Sequence, residues 1–312
     1  MLLRLCSDLG VVLRRDLVAA GIDDRAIHRL RRAGTILRLR HGAYVLADRW
    51  SAADARTRHL MLSEAVLDLY RADVALSHIS AAIAYGAPDW RVPLKDAHLT
   101  SLRRVGERHK ARVVHHVGTC GVLDLSRRHG HWITSPTRTA LDAASILDRD
   151  PAVCVLDWFL EQGLTSTDEL TQILEAPRTP WTDHLELVHK VSLASPGAQS
   201  VAESRCRLAF GDVGLPAPVL QLTIHDQDGR VVGIVDFAWP EHGVVVEFDG
   251  DVKYHRHRKP GETIEQMVLR EKRREDRIRE LTGWTVVRLS WSDLGDHGAL
   301  AARLRPYFRR SA

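Results

Sequence analysis

Residues 233–254 read GIVDFAWPEHGVVVEFDGDVKY. Two apolar runs flank a turn at Pro240, Glu241, His242 and Gly243, a composition suited to chain reversal. If the runs pair as a hairpin, the centre of symmetry falls between Glu241 and His242, and Asp236 faces Glu247 across the strands. Directly opposed residues hold their Cβ atoms roughly 5 Å apart. Two carboxylates that close repel, and apolar strands make the pair costly unless a cation or a proton sits between them. A divalent metal meets that need, and an all-oxygen donor set suits magnesium, manganese or calcium rather than zinc.

The neighbouring segments give this hairpin a context. AQSVAESRCRLAF, with Val201, Leu208 and Phe210 as its apolar positions, reads as a helix that carries a third acid, Glu203. ETIEQMVLREKRREDRIREL reads as a strongly basic helix ending near Gly283, and WTVVRLSW as another apolar strand. The expected order is helix, strand, strand, helix, strand.

On these residues the chain resembles the PD-(D/E)XK phosphodiesterase superfamily, in the branch related to very-short-patch repair endonucleases. The matching pieces are Glu203, IVDF ending at Phe237, VVVEFDG ending at Gly250, and EKRRED from Glu271 to Asp276. The resemblance covers about residues 195–295. It implies a three-layer α/β/α restriction-endonuclease-like tail in which Glu203, Asp236 and Glu247 hold Mg2+ or Mn2+ and DNA phosphodiesters are hydrolysed. The family pattern has a lysine two residues after the second strand acid, where this chain has Asp249. Lys253 and Lys272 are the candidates to bring that charge in from nearby and steady the attacking water. Arg270, Arg273 and Arg274 are the candidates to hold the flanking DNA backbone. A structural alternative has the acids serving as acceptors for the basic helix, with Glu247 facing Lys272 or Asp249 facing Arg273.

The first fifty residues form a compact basic unit, with ten Arg against five Asp. Leu2, Leu3, Leu5 and Leu9 suggest a first helix, and Arg14 to Ala20 a second that is closed by Gly21. Asp23 or Asp24 offers an N-cap for a third, from about Arg25 to Ala33. In that third helix Ala26, Ile27 and Leu30 face inward, leaving Arg25, His28, Arg29 and Arg32 outside. ILRLRHGAYVL then reads as two strands with Arg38, Arg40 and His41 near the tip. This is the layout of a winged helix, whose third helix enters the major groove of double-stranded DNA while the wing touches the backbone. Arginines so placed read guanine edges or hold phosphate; the plain alternative is a three-helix packing module whose arginines only solubilise it.

GTILRLRHGAYVL at residues 34–46 also resembles the amino-terminal domain of the abortive-infection type E (AbiEi) antitoxins, and ALSHISAAIAYGAP and TSPTRTALDAA resemble that family's middle region. That resemblance covers roughly residues 1–150. It implies a DNA-binding repressor with a toxin gene product as partner. A winged helix commonly acts as a homodimer on a two-fold site, although no dimerisation helix stands out.

The expected organisation is therefore α/β overall: a winged-helix head at 1–50, a mixed α/β middle at 51–180, and the nuclease-like tail at 195–312. In the middle, residues 52–72 and 77–86 read as helices. DAHLTS, ARVVHHV and HWITS read as strands, SPTRTALDAASIL as a helix, and Pro151–Leu174 as one helical run containing Trp158 and Phe159. His98, His115, His116 and His131 lack metal-ligand spacing and read as packing or surface residues. The net charge is only +4, but residues 253–279 form a second basic region with ten Lys or Arg against five acids. The four cysteines form no CxxC pair, so a reduced cytoplasmic setting without structural zinc or disulfides is expected. The start is too short and charged for a signal peptide, and no run is apolar enough to span a membrane. Two functions follow: a metal-dependent endonuclease steered by its head, or a non-catalytic DNA-binding regulator of the AbiEi type with an inactive nuclease fold.

Overall fold

A computed structural model describes residues 1–70, 73–102, 108–117, 120–176, 181–249 and 261–308. The chain is mixed α/β and divides into two compact units, Met1–Ala194 and Ser195–Ala312.

The first unit begins with a 3-10 turn, Leu2–Arg4, and a short strand β1 (Val11–Leu13). These stand where the leucine spacing suggests a helix; Gly10, at φ +83°, turns the chain out of helical geometry before the β-branched pair Val11–Val12. Two helices follow, α1 (Arg14–Ala19) and α2 (Asp24–Arg32). Asp23 settles the choice of N-cap, its side chain accepting the Ala26 amide at 2.7 Å. Strands β2 (Ile36–Arg40) and β3 (Ala43–Leu46) form a hairpin around Gly42 at φ +81°, and β1 adds to β3, giving the order β1-β3-β2. Strand alternation explains how this small sheet is buried on both sides. Val12, Tyr44 and Leu46 pack with Leu17, Ile22 and Ile27 of the helical side. Val11, Leu13, Ala43 and Val45 pack instead on Met61 and Ala65.

Those last two residues belong to α4 (Ala55–Tyr70), which follows a short helix α3 (Ala47–Ala52). The opposite side of α4 sends Leu62 and Val66 into a second, six-stranded sheet. Its strands are β4 (Val74–Leu76), β5 (Ala97–Ser101), β6 (Arg108–His109), β7 (Val113–His116), β8 (Leu125–Arg128) and β9 (His131–Thr134), in the order β6-β7-β5-β4-β9-β8. A helix packed against two sheets is apolar on both contact sides, and Met61, Leu62, Ala65 and Val66 are all buried.

The helices α5 (His78–Tyr85), α6 (Pro136–Ile146), α7 (Arg149–Glu161), α8 (Thr167–Leu174) and α9 (His184–Ser192) complete this unit. The expected single run from Pro151 is two helices. Gly163 adopts φ +62°, and Ser166 starts α8 through a capping box with Glu169. Phe159 is fully buried and Trp158 packs at the edge of the same core. Lys190 of α9 is buried and donates through Nζ to the carbonyls of Ala144 and Leu147, satisfying acceptors at the end of α6.

The second unit runs α10 (Val201–Asp212), β10 (Val219–His225), β11 (Val231–Trp239), β12 (Val244–Phe248), α11 (Ile264–Thr282), β13 (Thr285–Leu289) and α12 (His297–Leu304). Its sheet order is β10-β11-β12-β13, antiparallel except for the parallel pair β12–β13. Phe237, Trp239, Val246 and Leu289 pack with Phe210 of α10 and Leu300 and Leu304 of α12. Val245 and Val286 pack on the other side with Ile278 of α11. Apolar strands covered on both faces read as the nearly continuous run VVVEF.

Gly86 closes α5 at φ +115°, and a Cβ there would come 3.2 Å from the Trp158 ring. Gly86→Ala is expected to cost about 1–3 kcal/mol, from the left-handed backbone together with the clash. Thermal unfolding of the full chain measures it; an unchanged midpoint contradicts this account of the α5 terminus.

Candidate functional site

The hairpin register matches the symmetry of its sequence: Phe237 pairs with Val246, Ala238 with Val245 and Trp239 with Val244. Asp236 and Glu247 are the next opposed positions. On the other side of β11, the pairs Leu220–Phe237 and Leu222–Val235 put Gln221 opposite Asp236. On the other side of β12, Glu247 is the parallel partner of Arg288. Gln221, Asp236, Glu247 and Arg288 therefore form one polar row across the four strands. The ladder opens along this row. Asp236 Oδ2 accepts the Phe248 amide at 2.9 Å, and Gln221 adopts φ +48°, a left-handed conformation that carries strain in a non-glycine residue.

A cavity of about 720 Å3 lies over the row, lined among others by Glu203, Gln221, Asp236, Glu247, Asp249, Lys272 and Arg274. The cavity thus brings the three predicted acids together. Glu203 sits in the first turn of α10 and is buried. Its Oε1 accepts from the Ser200 hydroxyl at 2.8 Å, and its Oε2 from the Gln199 amide and Gln221 Nε2, both at 2.9 Å. These are the contacts of a first-turn capping carboxylate that also fixes Gln221.

Glu247 is answered by an arginine of α11. Arg274 Nη2 donates to Glu247 Oε1 at 2.9 Å, its Nη1 to the Ile234 carbonyl at 3.0 Å and its Nε to Glu271 at 3.0 Å. Burial raises the Glu247 carboxyl above the usual carboxylate range; Arg274 opposes that rise and Asp236 adds to it. Burial works against the charge of Arg274, but Glu247 and Glu271 outweigh it and hold the guanidinium ionised. The acceptor role for these acids is realised with other partners than Lys272 and Arg273: Glu247 meets Arg274, and Asp249 meets Arg288 at 3.6 Å.

The remaining sequence candidates separate. Lys272 lines the cavity and is exposed, as is Arg273. Arg270 is bound to Glu262 at 2.9 Å and to Glu271 at 2.8 Å, so acids of its own segment take the guanidinium expected to hold DNA. Lys253 lies outside the described residues. Sequence reading missed Gln221 and Arg288. The strand bearing Gln221 was visible in the alternation of Leu220, Leu222 and Ile224 with Gln221, Thr223 and His225.

An oxygen-only set suits a hard cation, yet the three acids as arranged do not fit a three-carboxylate metal centre. Both oxygens of Glu203 already accept from protein donors, and Glu247 is held by a guanidinium. Among the described residues no group of three His, Cys, Asp or Glu side chains converges as a metal cluster. His78, His98 and His116 of the first unit pack against one another. His98 Nδ1 and His116 Nε2 share a hydrogen bond at 2.9 Å, and His78 stacks on His116 with ring centroids 3.5 Å apart. Burial, with a neighbouring histidine, pushes His98 down to about 3 and His116 to about 4, so both are neutral near pH 7.

In the head, Arg25, His28, Arg29 and Arg32 are exposed along α2, while Ile27 is buried beneath them. Arg38 is exposed on β2, within 3.4 Å of His41. Arg40 lies at the hairpin tip as expected, paired with Ala43, but it is half-buried, with its guanidinium over the Tyr70 ring at 5.6 Å.

Glu247→Gln is expected to unfold no more easily than wild type at pH 7.5. The fold raises this carboxyl's pKa, so its charged form costs stability above the folded pKa and the cost disappears as pH falls below the unfolded value. Any advantage of the glutamine therefore shrinks in acid. Urea unfolding at pH 7.5 and at pH 4 checks both the sign and its pH dependence.

The family profile described as transcriptional regulator, AbiEi antitoxin, matches residues 2–47, from the first turn through the β2–β3 hairpin. Two uncharacterized proteins of Mycobacterium tuberculosis, MT2308 of strain CDC 1551 / Oshkosh and Rv2248 of strain H37Rv, are each 32% identical to this chain over 188 residues. The matched stretch covers 60% of this chain and 65% of each relative, just under two thirds of their length. By residues 2–47, the amino-terminal segment of this chain is similar to AbiEi-type transcriptional regulators.

Proposed function

We propose that this protein is a DNA-binding transcriptional regulator of the AbiEi antitoxin type, with a winged-helix head. The observation that carries the reading is that the antitoxin-regulator match falls on the segment whose α2 exposes Arg25, His28, Arg29 and Arg32. In this reading α2 enters the major groove of double-stranded DNA, and Arg38 on the hairpin touches the backbone. Arg40, packed on Tyr70, has a supporting role. A toxin gene product is the partner such a regulator would have, and a dimer on a two-fold operator its form on DNA. Among the described residues no helix is long and apolar enough to cross a membrane.

The test is binding of the full chain to duplex DNA from upstream of its own gene, followed by fluorescence anisotropy across a salt series. Arg29→Ala/Arg32→Ala is expected to weaken binding at least tenfold. If both side chains meet phosphate, the slope of log K against log salt falls by about two. Wild type and variant binding equally would sink the assignment of α2.

A second reading keeps the tail as a PD-(D/E)XK-type endonuclease fold whose hydrolysis of DNA with Mg2+ or Mn2+ would require Arg274 to leave Glu247. The polar row beneath a cavity favours it, because a buried Glu247 facing a half-buried Asp236 and a strained Gln221 are costly in a sheet that serves only as scaffold. Exposed Lys272 and Arg273 are then the groups that meet the DNA backbone. On supercoiled plasmid, this reading expects Mn2+-dependent nicking by wild type and at least a hundredfold loss in Asp236→Asn/Glu247→Gln. Absence of nicking, with DNA binding intact, leaves the regulator alone.

A further inference from the structure

We infer that Arg274 is the resident cation of the carboxylate site, occupying the position a divalent metal would take, so that metal enters only when this guanidinium is displaced. The inference is independent of DNA binding by the head and bears on the hydrolytic reading of the tail.

Three observations converge on it. First, Arg274 satisfies the electrostatic need of the site directly, through Nη2 on Glu247 at 2.9 Å, beside Asp236. Second, the side chain is fixed by its other donors, Nη1 on the Ile234 carbonyl and Nε on Glu271. A planar guanidinium held at three acceptors is pre-organised in a way a lysine ammonium is not. Third, the strand beneath is cut away for it. Gly233 lies under Arg274, and a Cβ at that position would stand 3.1 Å from Arg274 Cδ and 3.2 Å from Nη1. Sequence, strand and helix therefore agree on one resting place for this arginine.

The consequence is competition. A divalent cation at Asp236 and Glu247 would have to share with Arg274 the carboxylate that Nη2 already contacts, and two cations at one carboxylate repel. Removing the guanidinium takes from Glu247 the cation hydrogen-bonded to it while Asp236 stays opposite, which both destabilises the tail and creates affinity for a hard cation.

The experiment compares wild type with Arg274→Met and Arg274→Lys in the full chain. Mn2+ binding is followed by calorimetry, and thermal midpoints by scanning with MnCl2 or with KCl at matched ionic strength. Arg274→Met is expected to unfold at a lower temperature than wild type without metal, to regain the loss in Mn2+, and to bind Mn2+ at least tenfold more tightly. Arg274→Lys, which keeps the charge, is expected to exclude metal nearly as wild type does. Adding Asp236→Asn/Glu247→Gln to Arg274→Met should abolish the gained binding. Equal Mn2+ affinity in wild type and Arg274→Met, or no binding in either, overturns the inference. If Arg274→Met does not fold, Arg274→Gln, which retains a donor for the Ile234 carbonyl, carries the same comparison. Metal gain without plasmid nicking would uphold the resident cation while removing the hydrolytic reading, so the two fail separately.

Discussion

Two carboxylates opposed on apolar strands must be met by positive charge, and much of the carboxy-terminal unit is arranged around meeting it. Asp236 and Glu247 stand in the row where the β10–β11–β12 ladder opens, and α11 crosses that row with Arg274 aimed at Glu247. The apolar contacts of Ile278 with Val245 and Val286 seat the helix, and the ion pair fixes which side it turns inward. Around this pair the charges alternate. Glu271 joins Arg270 and Arg274, Glu275 joins Arg279 and Arg288, and Arg288 reaches Asp249. Among the described residues, Arg270, Arg274, Arg277 and Arg279 of the region that reads as a basic block are each paired with an acid.

The amino-terminal unit answers a different constraint. Strands β1 and β3 of its small sheet alternate between two apolar sets. One set requires α1 and α2, and the other requires α4. Helix α4 in turn is apolar on the side that meets the six-stranded sheet. Residues 1–50 are thus tied into the rest of their unit by shared burial, while α2 keeps its arginines in solvent. Packing of this kind holds the exposed face of α2 rigid from behind without occupying it.

Local signals in the sequence were reliable where a single residue sets the backbone. Asp23, Gly86 and Gly283 each act at a helix terminus through their own chemistry. The hairpin register around Pro240–Gly243 followed from symmetry alone, because a turn fixes what lies opposite. Reading failed where the same residues suit two structures. The leucines of the first nine residues have helical spacing but too few residues to outweigh Gly10 and the β-branched strand after it. Pro151–Leu174 has continuous helical periodicity, and only the conformation of Gly163 breaks it.

The sequence by itself determined that Asp236 and Glu247 oppose each other, that α2 has an arginine face, and that strands and helices would mix. Each follows from periods of two or 3.6 residues acting within one element or one turn. Only the tertiary structure decided which cation answers the acids. Lys272, Arg273 and Arg274 are consecutive and chemically similar, and the rotation of α11 on the sheet selects the third. It likewise decided that Glu203 spends its oxygens on Ser200, Gln199 and Gln221, and that Arg40 turns onto Tyr70. Those choices depend on partners distant in sequence, and charge pairing carries no periodicity from which they could be read.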